Sequence, residues 1–157
     1  MKAKIIIGLV LIFVILQILP REKNQNREPS EADIFKVEET SLELRSLIKG
    51  ACYDCHSFQT EYPWYSNLAP FSWWIDDHID HARKHLNFSE WATYDAEKKS
   101  HKAEEAMEEI EEGEMPMESY QLAHSSARLS AKEKAKILEW FKRLHKKYES
   151  NSTATAR

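Results

Sequence analysis

Two cysteines and a histidine stand close together near the first third of the sequence, in the order Cys52, Cys55, His56. The 157-residue chain has no other cysteine. Two residues between the thiols, with a histidine directly after the second, are typical of covalent c-type haem attachment. In that chemistry each sulfur bonds one vinyl group of the porphyrin, and the adjacent imidazole binds the iron. The motif therefore predicts one haem c, held by Cys52 and Cys55, with His56 as the proximal ligand.

The same pair of thiols fits three other kinds of site less well. A redox pair of the thioredoxin type needs a strand followed by a helix, and no strand-like run precedes Cys52. A structural zinc site needs two further cysteine or histidine ligands close by. A disulfide between residues only three apart is strained and uncommon. Covalent haem is the interpretation that the motif favours.

The second axial ligand of the iron separates an electron carrier from a haem protein with an open site. Met115 is the predicted distal ligand, because Pro116 stiffens the loop after Gly113 and a thioether there can project at the ring. Met107 lies on a helical stripe and is expected in the core. Three further side chains remain alternatives as the distal ligand: His78, His124 and Met117.

Amino-acid composition and hydrophobic periodicity predict that the candidate haem ligands lie in an all-α fold. The chain has only three glycines and five prolines, too few for the many tight turns of a sandwich or barrel. Capping-box spacing at Thr40–Glu43 and at Ser130–Glu133 predicts the starts of a first and a last helix. The first is expected to stop at Gly50, and a third helix to run from about 95 to 112, before Gly113.

The clearest amphipathic pattern predicts a second helix that begins at Pro70. Its apolar face is expected to contain Phe71, Trp74, Ile75, His78, Ile79, Ala82 and Leu86. The pair His81 and His85 is expected at a solvated edge of this helix. Five tryptophans are numerous enough to wall a flat apolar cofactor: Trp64, Trp73, Trp74, Trp91 and Trp140.

The N-terminal residues have the pattern of an export segment. Lys2 and Lys4 precede an apolar run from Ile5 to Leu19, which orients the remainder of the chain away from the cytoplasm. Because no small-x-small site closes this run, we expect residues 1–20 to be retained as a signal anchor rather than cleaved as a signal peptide. Residues 21–39 are expected to form a polar tether, 40–150 the haem-binding domain, and 151–157 a flexible tail.

Charge restricts the partners. The net charge of −4 excludes a typical nucleic-acid binder. Eight glutamates between positions 104 and 118, in the third helix and the loop that carries Met115, predict an acidic surface that suits redox partner proteins with a basic surface. The alternative is an ordinary solvated helix face.

Beyond the haem motif, residues 51–141 resemble the exported haem-binding domain family, whose members are short, membrane-tethered or secreted bacterial c-type cytochromes. The resemblance is carried by separated motifs: 51–57, 62–66, Trp73-Trp74, His78-Ile79, 86–91, 114–116, Ser119-Tyr120, His124 and Leu129-Ser130. Met117, His81 and His85 are additions to that pattern. The resemblance implies a small helical domain around one covalent haem.

The predicted function is c-type haem binding and single-electron transfer on the periplasmic side of the cytoplasmic membrane, without enzyme activity. The alternative is a haem enzyme of the peroxidase type, or a gas or redox sensor, with an open distal site. No arginine and histidine pair typical of peroxide cleavage can be identified by spacing, which disfavours the enzyme.

Overall fold

A computed structural model describes residues 2–18, 23 and 28–155, and every regular element in this part of the chain is helical. The α-helices are α1 (Lys2–Ile18), α2 (Ile34–Val37), α3 (Leu42–Ile48), α4 (Asp54–His56), α5 (Phe71–His85), α6 (Ala96–Glu112), α7 (Glu118–Ala123) and α8 (Ala131–Thr155). A π turn, Lys49–Tyr53, joins α3 to α4, and short 3-10 turns occupy Trp64–Asn67, Phe88–Thr93 and Ser125–Ala127. The all-helical prediction is confirmed.

The predicted helix ends are formed by local capping groups. At α8 the box is reciprocal, because Ser130 N–H donates to the Glu133 carboxylate at 2.8 Å and Glu133 N–H donates to Ser130 Oγ at 3.3 Å. Helix α3 is capped one residue later than predicted, by Ser41 Oγ, which accepts from Leu44 N–H at 3.2 Å. Gly113 ends α6 with a φ of 85°, a left-handed conformation that glycine adopts without strain.

The core lies between α6 and α8, with α3 packed against α8. Ala103 and Ile110 of α6 meet a buried stripe of α8 formed by Ile137, Phe141 and Leu144. These residues recur at helical spacing, so one apolar face of each helix is turned to the core. Trp91 and Trp140 are also fully buried there.

The start of the domain differs from the expected tether over 21–39. Ile34 is fully buried and Asp33 is only 2% exposed. The Asp33 carboxylate caps α2 and also accepts a hydrogen bond from the buried Tyr53 hydroxyl at 3.0 Å. Glu38 is also buried and accepts from the Trp91 indole at 3.1 Å. Packed structure therefore begins well before Thr40, while residues 21, 22 and 24–27 lie outside the described residues.

The end of the chain differs as well. Helix α8 continues to Thr155, so most of the segment expected as a flexible tail, 151–157, is helical. The last two residues lie outside the described part.

Helix α1 carries the apolar N-terminal run, and none of its side chains is buried. It meets the domain at its end, where the Gln17 amide accepts from Ala69 N–H at 2.9 Å and donates to the Ala69 carbonyl at 3.3 Å. Among residues 2–18, 23 and 28–155, no helix combines the length and the apolar character needed to cross a membrane. Met1, Leu19 and Pro20 of the predicted anchor lie outside the described residues.

Candidate haem-binding site

The cysteine motif lies at the end of a continuous helical segment, from α3 through the π turn to α4. The predicted stop at Gly50 is therefore wrong, because the chain stays helical until Ser57, where the backbone becomes extended. Gly50 instead allows a close approach: a Cβ there would lie 3.0 Å from the Ser126 Cβ. Cys52 lies in the π turn and lines one cavity, whereas Cys55 lies in α4 and lines a neighbouring one.

The imidazole of His56 is held by the backbone of Leu86 and Ala82. Its Nδ1 lies 2.9 Å from the Leu86 carbonyl, and because a carbonyl only accepts, Nδ1 carries the proton. The lone pair is then on Nε2, the atom available to a metal. Burial lowers the pKa of His56, so the ring stays neutral in the form that binds iron.

Cys52 and His56 line a cavity of about 390 Å³, called here the first cavity, between α4, α5, α6 and the Met115 loop. Its other walls include Leu86, Phe88 and Phe141. Such an apolar wall beside the His56 imidazole suits a haem ring.

Cys55 lines the second cavity, of about 330 Å³. Phe71, Trp74 and Ile79 form much of its apolar wall. The two cavities adjoin, because His78 and Met117 line both. Cys52 and Cys55 therefore line two adjoining cavities.

The apolar face predicted for α5 lines the two cavities, although its pattern suggests packing against the protein core. All seven residues of that face line one cavity or the other. Several stay open to solvent for this reason, with Phe71 63% and Trp74 49% exposed. An amphipathic helix that leaves its apolar side unpacked needs a further apolar group to cover that side.

The structure brings most of the predicted distal ligands to the same place. Met115 lines the first cavity with His56, whereas Met117 and His78 line both cavities. His124 lines only the second, with its ring stacked on Tyr120 at a centroid distance of 4.0 Å. His78 Nδ1 lies 2.7 Å from the Trp74 carbonyl, which leaves its Nε2 free, as in His56.

The thiols have the wrong electrostatics for the alternative sites. Burial raises the pKa of Cys52 to about 12 and that of Cys55 to about 11. A redox pair of the thioredoxin type has a lowered thiol pKa, so that alternative is disfavoured. Within residues 2–18, 23 and 28–155, no group of three or more His, Cys, Asp or Glu side chains is arranged to hold a metal ion directly.

Asp54, between the cysteines, ties the motif to two other segments. Its Oδ2 accepts from the Tyr120 hydroxyl at 2.6 Å and its Oδ1 from Glu61 N–H at 2.8 Å. The Asp54 carbonyl accepts from Thr60 Oγ1 at 2.6 Å. Burial and the Asp54 carboxylate raise the pKa of Tyr120, which keeps this phenol a donor. Sequence reasoning missed this clamp, and its only signal was an acidic residue inside the motif.

The predicted role of the tryptophans is largely wrong. Trp74 alone among the five lines either cavity. Trp91 and Trp140 are core residues, while Trp64 and Trp73 are 77% and 37% exposed. His81 and His85 lie at the exposed edge of the first cavity, with ring centroids 4.8 Å apart.

The chain belongs to the haem-binding domain family, whose sequence profile matches residues 11–143. Comparison with curated proteins and with solved structures gives no match. The match covers both cavities, the cysteine motif and the Met115 loop. The donor set fits the group that the family binds, because two thiols, a neutral imidazole and an uncovered apolar wall converge on adjoining cavities.

Proposed function

We propose that this protein is a single-haem c-type cytochrome that transfers one electron at a time between redox partners. Cys52 and Cys55 hold the haem covalently, His56 is the proximal ligand and Met115 the distal one. The observation that carries the proposal is the first cavity, which Cys52, His56 and Met115 all line, with His56 Nδ1 held by the Leu86 carbonyl. Bound haem supplies reversible one-electron chemistry at its iron.

The chain's own residues then have defined tasks. The Leu86 carbonyl fixes the His56 tautomer, so that Nε2 presents its lone pair to the cavity. Leu86, Phe88 and Phe141 exclude water from that side of the ring. Asp54 and Tyr120 hold the segment between the thiols in place, so the attachment points are fixed relative to α7.

We propose further that the partners are proteins with a basic surface. Glu105, Glu108 and Glu109 line the mouth of the first cavity, so the acidic face of α6 surrounds the exposed edge of the site. An acidic rim there attracts a positively charged partner and orients it toward the haem edge.

Electron exchange tests both parts of this proposal. Reduced protein mixed with an oxidised basic cytochrome should be oxidised in one phase, with a rate that falls as salt shortens the screening length to about 10 Å or less. Stopped-flow absorbance at increasing ionic strength measures this. A rate indifferent to salt contradicts the acidic docking face, and absence of any exchange contradicts the carrier role.

The location outside the cytoplasmic membrane is also part of the proposal, with residues 1–20 as a retained signal anchor. The support is that α1 is apolar and that none of its side chains is buried. Lys2 and Lys4 at its start favour a cytoplasmic N-terminus.

The N-terminus of the mature protein decides between anchor and cleaved signal. We expect the chain purified from bacterial cells to sediment with membranes, to resist extraction by high salt or carbonate, and to begin at Met1 or Lys2. N-terminal sequencing or intact mass measures this directly. A first residue beyond Pro20 in a protein released from the periplasm would show cleavage instead.

A further inference from the structure

Lys102 is a buried cation whose position the haem-binding proposal has not used. It lies on α6, is only 7% exposed, and lines the first cavity. Of the described residues that line either cavity, Lys102 is the only lysine or arginine. A charged group at the wall of an apolar cavity is costly unless something there uses the charge.

The contact that Lys102 makes connects it to the proximal histidine. Its ammonium donates to the His85 carbonyl, and the next carbonyl along the chain, that of Leu86, accepts from His56 Nδ1 at 2.9 Å. The charge therefore lies one peptide group away from the bond that orients His56. The positive charge of Lys102 also contributes to the lowered pKa of His56.

The surroundings compensate the charge only in part. Burial lowers the pKa of Lys102 although Glu105 acts in the opposite direction. The ammonium lies 5.4 Å from the centre of the Tyr94 ring. The simplest structural role for Lys102 is to cover the Tyr94 ring with its aliphatic stem. That role does not require the Lys102 nitrogen to reach the His85 carbonyl at the cavity wall.

We propose that Lys102 is a positioning residue for the proximal histidine, which steadies the His85–Leu86 backbone and places a fixed positive charge beside the iron site. This inference rests on the proposed haem binding at His56. Reduction adds one negative charge to the iron centre, so a nearby buried cation favours the ferrous form. Lys102 thereby raises the reduction potential of the protein.

The test uses the full-length haem protein and the substitution Lys102→Met, which keeps the stem and removes the charge. At a fixed solution potential we expect the ferrous-to-ferric ratio to fall about tenfold, which is about 59 mV for a one-electron couple. Electron paramagnetic resonance of the ferric protein should also change, because the His56 ring loses part of its support. Lys102→Arg should restore both readings toward wild type.

Lys98→Met is the matched control. Lys98 lies one turn earlier on α6, is exposed, and stands over the same Tyr94 ring at 4.7 Å. It loses the same charge outside the cavity, where solvent screens it, so its redox ratio should change less than about twofold.

The possible outcomes distinguish a failure of the proposed role of Lys102 from a failure of the proposed haem binding. If Lys102→Met binds haem normally with the wild-type potential and resonance spectrum, the role of Lys102 is refuted while haem binding stands. If the wild-type chain carries no haem on His56, the proposed function fails and this inference with it. Should Lys102→Met not fold, as judged by circular dichroism, Lys102→Gln is measured in its place and read by the same criteria.

Discussion

Replacement of both Cys52 and Cys55 by alanine is expected to give a chain that loses all haem on denaturation. Wild-type protein should keep one haem through acid-organic extraction and through a denaturing gel, because thioether bonds do not depend on the fold. The double variant has no thiol left in the sequence, so any haem in it rests on His56 and apolar contact alone. Haem staining of the gel and intact mass measure the result.

The single variants provide the internal control. Cys52→Ala and Cys55→Ala each leave one sulfur, and the two cysteines line different but adjoining cavities. Each should retain covalent haem in reduced yield, with a mass increase of one haem per chain. Haem that extracts freely from the wild-type protein would show that the motif does not attach it.

The parts of the fold that sequence predicts well are those determined by neighbours along the chain. Ser130 and Glu133 cap each other within four residues, and Gly113 ends α6 because it alone adopts the left-handed conformation there without strain. The stripe of Ile137, Phe141 and Leu144 is readable for the same reason, since helical period alone sets its direction.

The parts that sequence misses depend on contacts between distant segments. The seven-residue face of α5 was readable as apolar, but whether it packs on protein or lines a cavity depends on where α6 and the Met115 loop lie. The Asp54–Tyr120 bond joins residues 66 apart in sequence, and Glu38 reaches Trp91 across 53. No local pattern specifies such pairs, so the polar composition before Thr40 predicts a tether where Asp33, Ile34 and Glu38 are in fact buried.

In the candidate site, too, sequence predicts the local features and misses those that depend on distant segments. The motif itself predicts Cys52, Cys55 and His56, because attachment chemistry requires their spacing. The carbonyl that orients His56 belongs to Leu86, 30 residues away, and Lys102 is 17 residues from the carbonyl it contacts. Residues that tune a metal ligand come from whichever segment packs behind it, so only the folded chain reveals them.

The substitution Met115→Ala is expected to change the spectrum and the potential together. With Met115 bound, the ferrous protein should be six-coordinate, low-spin and slow to bind carbon monoxide, and the ferric protein should show the weak far-red band of a sulfur-to-iron bond. Met115→Ala should remove that band, lower the potential and admit carbon monoxide, because the soft thioether favours ferrous iron. Optical spectra of both oxidation states, with and without carbon monoxide, measure all three.

Met107→Ala is the matched control for this change. Met107 packs against the core from α6 and lines neither cavity, so the substitution removes a partly buried thioether without reaching the iron site. Its spectrum should match wild type. Met117→Ala should also leave the spectrum nearly unchanged, and the double variant of Met115 and Met117 should resemble Met115→Ala unless Met117 replaces the lost ligand.

His78 gives the sharpest opposing outcome. Its Nδ1 proton is held by the Trp74 carbonyl, so its Nε2 is as ready to bind iron as that of His56, and it lines both cavities. If His78→Ala or His124→Ala abolishes the low-spin spectrum while Met115→Ala does not, the protein is a bis-histidine cytochrome with a lower potential. If the wild-type protein is five-coordinate and binds carbon monoxide at once, the distal site is open. The acidic mouth of the first cavity would then admit a small ligand, and the sensor or peroxidase-type function would replace the electron carrier.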